Sequence, residues 1–213
     1  MAPVHPVRAH GRGGRALRAA ADLVTRLRLE SIFLGNVARA AWLGGEVVDG
    51  PIDVLALMQP QQKNQVAMMA SNRGFRVERD EIEATEELDL VPLNFVDAEG
   101  DVRVHVLIAS NALYGRMVAA GVDAHCDELS IRVPTAEDYA LLLGIAGDVA
   151  GVRELGETEA FNRMAFNEKV ISIGLGQLVI LSSEHCEGPP EKGTDAFMRR
   201  GSFPVSAGQD DNE

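Results

Sequence analysis

Apolar positions recur along the chain with two different periods, and the switches between them predict the order of elements. Leu17, Ala20, Ala21, Val24 and Leu27 fall at helical spacing, while Arg15, Arg18, Arg26 and Arg28 lie largely elsewhere. This predicts an amphipathic helix over residues 14–29. The short apolar run 31–34 predicts a strand. Gly35-Asn36 follows as a turn, with Asn36 as the N-cap of a helix over 37–42. Turn residues dominate 43–51, and 52–58 reads as a strand that is apolar except for Asp53. Pro60 precedes a helix over 61–72, which Gly74 ends. Residues 75–83 are read as a charged strand at the sheet margin. Residues 88–96 and 102–108 form a predicted hairpin, in which Pro92 argues for an edge position or a bulge on the first arm. A helix over 111–120 and a strand over 129–133 follow. Thr135-Ala-Glu-Asp138 has the pattern of a capping box and opens a helix over 136–146. Two more helices are predicted, 149–155 and 159–172, and 174–181 closes the ordered region.

That order implies an α/β (α+β) fold, a mixed, partly antiparallel sheet flanked by helices with a helical C-terminal part. The boundaries are a disordered leader (1–13), an α/β core (14–133), the helical part (134–181) and a disordered tail (182–213). The leader is basic and rich in Gly and Pro without an apolar stretch, so it is not a secretory signal. An organellar presequence and a phosphate-binding arm are the other readings of it.

Charge narrows the function classes. The chain carries 20 Lys and Arg against 32 Asp and Glu, a formal net charge of −12. General nucleic-acid binding and attachment to acidic membranes are not expected of such a surface. No apolar run has the length of a membrane span. The two cysteines, Cys126 and Cys186, lie far apart and share no metal-binding spacing with histidine, which suits a reduced, cytoplasmic protein. Neither GxGxxG nor GxxxxGK[ST] occurs, so a Rossmann or P-loop reading has no support.

Candidate chemistry gathers on 31–58. A carboxylate in an otherwise apolar strand costs stability unless something pairs with it, so Asp53 is a metal or nucleotide contact, the cap of a turn, or the partner of an arginine such as Arg39. Asn36 and Gly35 stand at a helix N-terminus, where backbone N–H groups favour phosphate. His105, on a later strand, is a proton-transfer partner for Asp53, half of a soft-metal site, or a hydrogen-bonded structural histidine.

Several phrases together resemble the nucleotidyltransferase superfamily, the polymerase-beta-like fold, and most of all its minimal and abortive-infection-toxin-like bacterial members. They are Leu34-Gly35-Asn36 and its helix, Pro51-Ile52-Asp53-Val54, the helix ending at Gly74-Phe75, Val104-His105-Val106-Leu107, and Pro134-Thr-Ala-Glu-Asp-Tyr139. The resemblance covers about residues 31–145. It implies a Mg²⁺-dependent transfer of a nucleoside monophosphate from an NTP, with three carboxylates holding the metal: two as Asp-x-Asp on one strand and a third on a later strand. Residues i and i+2 of a strand share a face, and Mg²⁺ takes oxygen ligands, so such a set is chemically apt.

The chain departs from that pattern. Pro51 stands at the first carboxylate position and His105 at the third, and imidazole suits zinc, copper or iron better than magnesium. The lysine of the family's later helix is missing. Asp49 and Asp89 are the acids that could stand in as metal ligands beside Asp53. In an extended strand, however, Asp49 lies about 13 Å from Asp53. The expectation is a degenerate member, acting by binding a nucleotide or a protein partner. The alternative is an active enzyme with a rearranged carboxylate site using Mg²⁺ with an NTP.

Overall fold

The computed structural model describes residues 4–47, 50–85 and 87–174, without the side chain of Arg79. The elements in chain order are α1 (Gly11–Arg26), β1 (Ser31–Phe33), α2 (Gly35–Leu43), β2 (Ile52–Ala56) and a 3-10 turn (Pro60–Gln62) leading into α3 (Lys63–Ser71). Then come β3 (Phe75–Arg76), α4 (Arg79–Ala84), β4 (Leu90–Phe95), β5 (Val102–Ile108), α5 (Ala112–Ala120), β6 (Val122–Cys126) and β7 (Leu129–Val133). Three helices close the described chain: α6 (Ala136–Ile145), α7 (Val149–Gly156) and α8 (Arg163–Ser172). The expected closing stretch 174–181 and tail 182–213 fall, apart from Gly174, outside the described residues.

Five strands form one mixed sheet in the order β1-β2-β5-β4-β3, and β6 and β7 form a separate hairpin. The central pair β2 and β5 is parallel; the other pairs are antiparallel. This is the mixed α/β architecture that the element order implies. Period-two patterning fixes its faces: Val102, Val104, Val106 and Ile108 are buried on one side of β5, and Arg103, His105 and Leu107 turn to the other. Helix α1 contributes Leu17, Ala20, Ala21, Leu23 and Val24 to the core, close to the face expected of it. Among the described residues no helix is long and apolar enough to cross a membrane.

Three local expectations change. The charged stretch after Gly74 makes only two strand residues before turning into α4. There Glu81 reaches back to the sheet, accepting hydrogen bonds from Arg103 (3.0 Å) and Asn94 (3.3 Å). Pro92 does not mark an edge, because β4 lies between β5 and β3. It stands opposite His105 in a pair without mutual backbone hydrogen bonds, since Ile108 N–H donates to Asp89 and the alternation runs from there. Its missing N–H would have faced the outer side, beyond the point where β3 has stopped. Third, β6 forms where the sequence pattern predicts no element, and its Cys126 makes a parallel bridge with Val7.

That bridge also changes the picture of the leader. Residues 4–10 lie along the fold: Val7 donates to His125 O (2.8 Å), His5 to Ala41 O (2.9 Å), and Val47 donates to Arg8 O (2.8 Å). Val7 and Ala9 are core residues. Gly14 permits the close approach, for a Cβ there would sit 2.1 Å from the Ala9 carbonyl oxygen. Gly14→Ala is therefore expected to push the arm from α1 and to cost about 1–3 kcal/mol. Chemical denaturation checks the cost, and faster amide exchange at Val7 checks the cause.

Arg15 of α1 holds the β4–β5 turn through two hydrogen bonds to Asp97, at 2.6 and 2.8 Å. The guanidinium, with the Glu99 N–H, lowers the Asp97 carboxyl from 3.8 to about 2. A carboxyl depressed in the folded state stabilises it above the unfolded pKa and loses that contribution as pH falls through the folded one. The stability gap between wild type and Asp97→Asn should thus be present above pH 3.8 and close towards pH 2. A gap that stays constant on acid titration would contradict the assignment.

Candidate functional site

The loop from β1 into α2 needs a residue with positive φ, and Gly35 supplies it at +53°. Gly35 and Asn36 are the first two residues of α2 and Leu34 is its N-cap, so Asn36 is not the cap that the sequence suggests. The α2 N-terminus has no side-chain cap; Val37 and Ala38 N–H groups donate to Leu34 O. The turn abuts β2: Leu34 N–H donates to Asp53 O at 2.9 Å. A Cβ on Gly35 would lie 3.1 Å from Asp53 Oδ2, so the carboxylate rests against the bare glycine.

Asp53 and His105 are register partners on the parallel pair β2 and β5. Their side chains meet: Nδ1 of His105 lies 2.8 Å from Asp53 Oδ1. A carboxylate only accepts, so Nδ1 carries the hydrogen and donates it. Both side chains are about one-quarter exposed, 28% for Asp53 and 26% for His105. Nε2 of His105 has no partner among the described residues and is not buried, so it faces solvent.

The other sequence candidates fall away from this pair. Arg39 does not reach Asp53; it pairs with Glu154 of α7. Asp89 stands at the level of Ile108, three residues beyond His105 and on the opposite parity of the ladder, so it turns to the other face. Asp49 lies outside the described residues. Pro51, exposed just before β2, stands at i−2 from Asp53 and offers no donor atom. No group of three or more His, Cys, Asp or Glu side chains placed to hold a metal occurs among the described residues. The pair that does converge supplies one carboxylate, already hydrogen-bonded, and one imidazole. Mg²⁺ asks for near-octahedral oxygen at about 2.0–2.1 Å, and this donor set does not fit it.

No family model matches the chain, and no curated protein does. Among solved structures it is similar to an antigenic nucleotidyltransferase-like protein from Paracoccidioides brasiliensis. The two superpose with a TM-score of 0.45 at 8% identity, over 74% of this chain and 87% of that one.

The C-terminal helices back the turn in a way the sequence did not announce. Thr135 caps α6, accepting from Asp138 N–H (3.2 Å) and donating to Asp138 Oδ2 (3.0 Å). The other carboxylate oxygen takes a hydrogen bond from Lys169 of α8 at 2.5 Å. The Asp138 side chain is 4% exposed. The next residue, Tyr139, donates its hydroxyl to Gly35 O at 3.3 Å, tying α6 to the α2 turn. Burial pushes its phenol up to about 12, which keeps it a donor at neutral pH. The capping phrase was legible from Thr135 to Asp138. Lys169, 31 residues downstream of its partner, had no local signal.

Proposed function

We propose that this protein is a nucleotidyltransferase-like protein whose site does not transfer nucleoside monophosphates with Mg²⁺, and that it works by binding, with a nucleotide phosphate at the Gly35-Asn36 turn. The observation that carries the reading is the 2.8 Å hydrogen bond from His105 Nδ1 to Asp53 Oδ1, with Pro51 two residues before Asp53 at the entry of β2. Two of the three positions that a carboxylate clamp needs thus hold proline and imidazole. Phosphoryl-group chemistry of this kind depends on metal to gather the phosphates and stabilise the attacking and leaving oxygens. Without it, little drives the transfer.

Binding has separate support. The N-terminus of α2, a nine-residue helix, has no side-chain cap, and helix N-termini favour anions. Removing the glycine would bring a side chain against Asp53 and strain the positive φ. Whether the bound nucleotide serves a protein partner is a further part of the same reading. The test is transfer from each α-labelled NTP, with Mg²⁺ or Mn²⁺, onto protein, RNA and small-molecule acceptors. No incorporation above background is expected. Incorporation that disappears in Asp53→Asn would overturn the reading in favour of an active, rearranged site.

A further inference from the structure

Asp53 is a half-buried carboxylate against a glycine, with no Lys or Arg in ion-pair contact among the described residues. An unpaired carboxylate at this depth is costly. Its Oδ2 is packed beside Gly35 and its Oδ1 is held by the imidazole. We propose that the His105 side chain stands in the place of a divalent cation, and that His105 together with Pro51 is what closes this sheet face to Mg²⁺. The inference rests on the binding-only reading above and says which residues set it.

The geometry is local. Residue 51 immediately precedes β2, two residues before Asp53. Residue 105 is the register partner of 53 on the adjacent parallel strand, about 4.8 Å away. Oxygen-bearing side chains at 53 and 105 would meet across the β2–β5 seam, and one at 51 would stand next to them at the entry of β2. In the protein, one position offers a pyrrolidine ring, and another offers a ring nitrogen that donates rather than accepts. Both substitutions act beside Asp53. The first removes a ligand. The second replaces a ligand and also supplies the hydrogen that the remaining carboxylate requires. Pro51 is exposed, so a carboxylate in its position displaces no core packing.

The test uses Mn²⁺ alone as probe, followed by water-proton relaxation and by thermal denaturation, on the full chain. Wild type is expected to show no saturable Mn²⁺ binding. Pro51→Asp with His105→Asp is expected to bind Mn²⁺ saturably, with half-saturation at least about tenfold below any response of wild type. Its melting temperature should rise with the ion, and adding Asp53→Asn should abolish both effects. Wild type binding Mn²⁺ as tightly as the double variant would overturn the proposal. So would a folded double variant that binds no better than wild type. If the double variant does not fold, His105→Asp alone decides. It should melt below wild type without cation and recover with Mn²⁺; no recovery overturns the proposal. These outcomes are independent of nucleotide, so a failure here leaves the transfer assay free to succeed or fail alone.

Discussion

Phe166→Ala is expected to lower the stability of the protein by about 3–5 kcal/mol, the usual cost of deleting a fully buried aromatic side chain. Phe166 is completely buried and belongs to the same core as the sheet. Its ring lies 5.3 Å from that of Phe161. The burden on it is large because α8 has few other anchors: only Phe166 and Val170 are buried, while Met164 and Ile171 are 73% and 70% exposed. Asn162 caps the helix by accepting from Ala165 N–H at 3.1 Å, which fixes its start but not its docking. Were α8 to detach as a unit, the measured loss would be bounded by the free energy that docks it. Two readouts separate the cases. Denaturant midpoints report the global loss, and amide exchange across α8 reports detachment. A loss below about 1 kcal/mol with unchanged exchange would mean that Phe166 is not the anchor.

Lys169→Met is expected to destabilise by about 3–5 kcal/mol, because it leaves a buried carboxylate without its charge partner. The asymmetry between the two partners makes this specific. Asp138 is 4% exposed and Lys169 is 35% exposed. The ammonium can turn to water when its partner is removed, and the carboxylate cannot. Asp138→Ala should therefore cost less, about 2 kcal/mol, most of it from the lost acceptor of the Thr135 hydroxyl and partial desolvation of the lysine, since Thr135 still caps the backbone N–H of residue 138. The double variant should be more stable than Lys169→Met alone, which no additive scheme gives. Equal losses from the two single variants would contradict the account. Since Tyr139 reaches Gly35 from the same first turn of α6, both variants should also loosen the α2 turn.

Part of the fold was legible because β5 obeys the two-residue period and β2 is an apolar run. The alternation through 102–108 marked β5 and with it the side of the sheet on which His105 lies. The apolar run after Pro51 marked β2, so the neighbourhood of Asp53 and His105 followed from the pattern and from the resemblance together. What was not legible depends on tertiary contacts. The charges in 78–84 read as the wet face of a strand, yet Glu81 is drawn to Arg103 and Asn94 and the segment closes into a helix. In β6, Val122, Ala124 and Cys126 do alternate, but small side chains give a faint signal next to Asp123 and His125. The basic, Gly- and Pro-rich composition of the leader gives no sign that residues 4–10 pack on the fold; Gly14, in the first turn of α1, is what lets Ala9 pack. At the site, residue identities were readable, but which partner Asp53 takes was not. Arg39 was a reasonable candidate until α7 placed Glu154 beside it.

The central proposal is that a nucleotide phosphate binds at the Gly35-Asn36 turn without a divalent cation. The most direct measurement is the thermal stability of the full chain titrated with ATP, GTP, CTP and UTP, once in excess Mg²⁺ and once in EDTA. A ligand that binds the native state raises its stability in proportion to the logarithm of its concentration. The account predicts a rise with at least one nucleotide that is the same in Mg²⁺ and in EDTA. A rise that needs Mg²⁺ would contradict it.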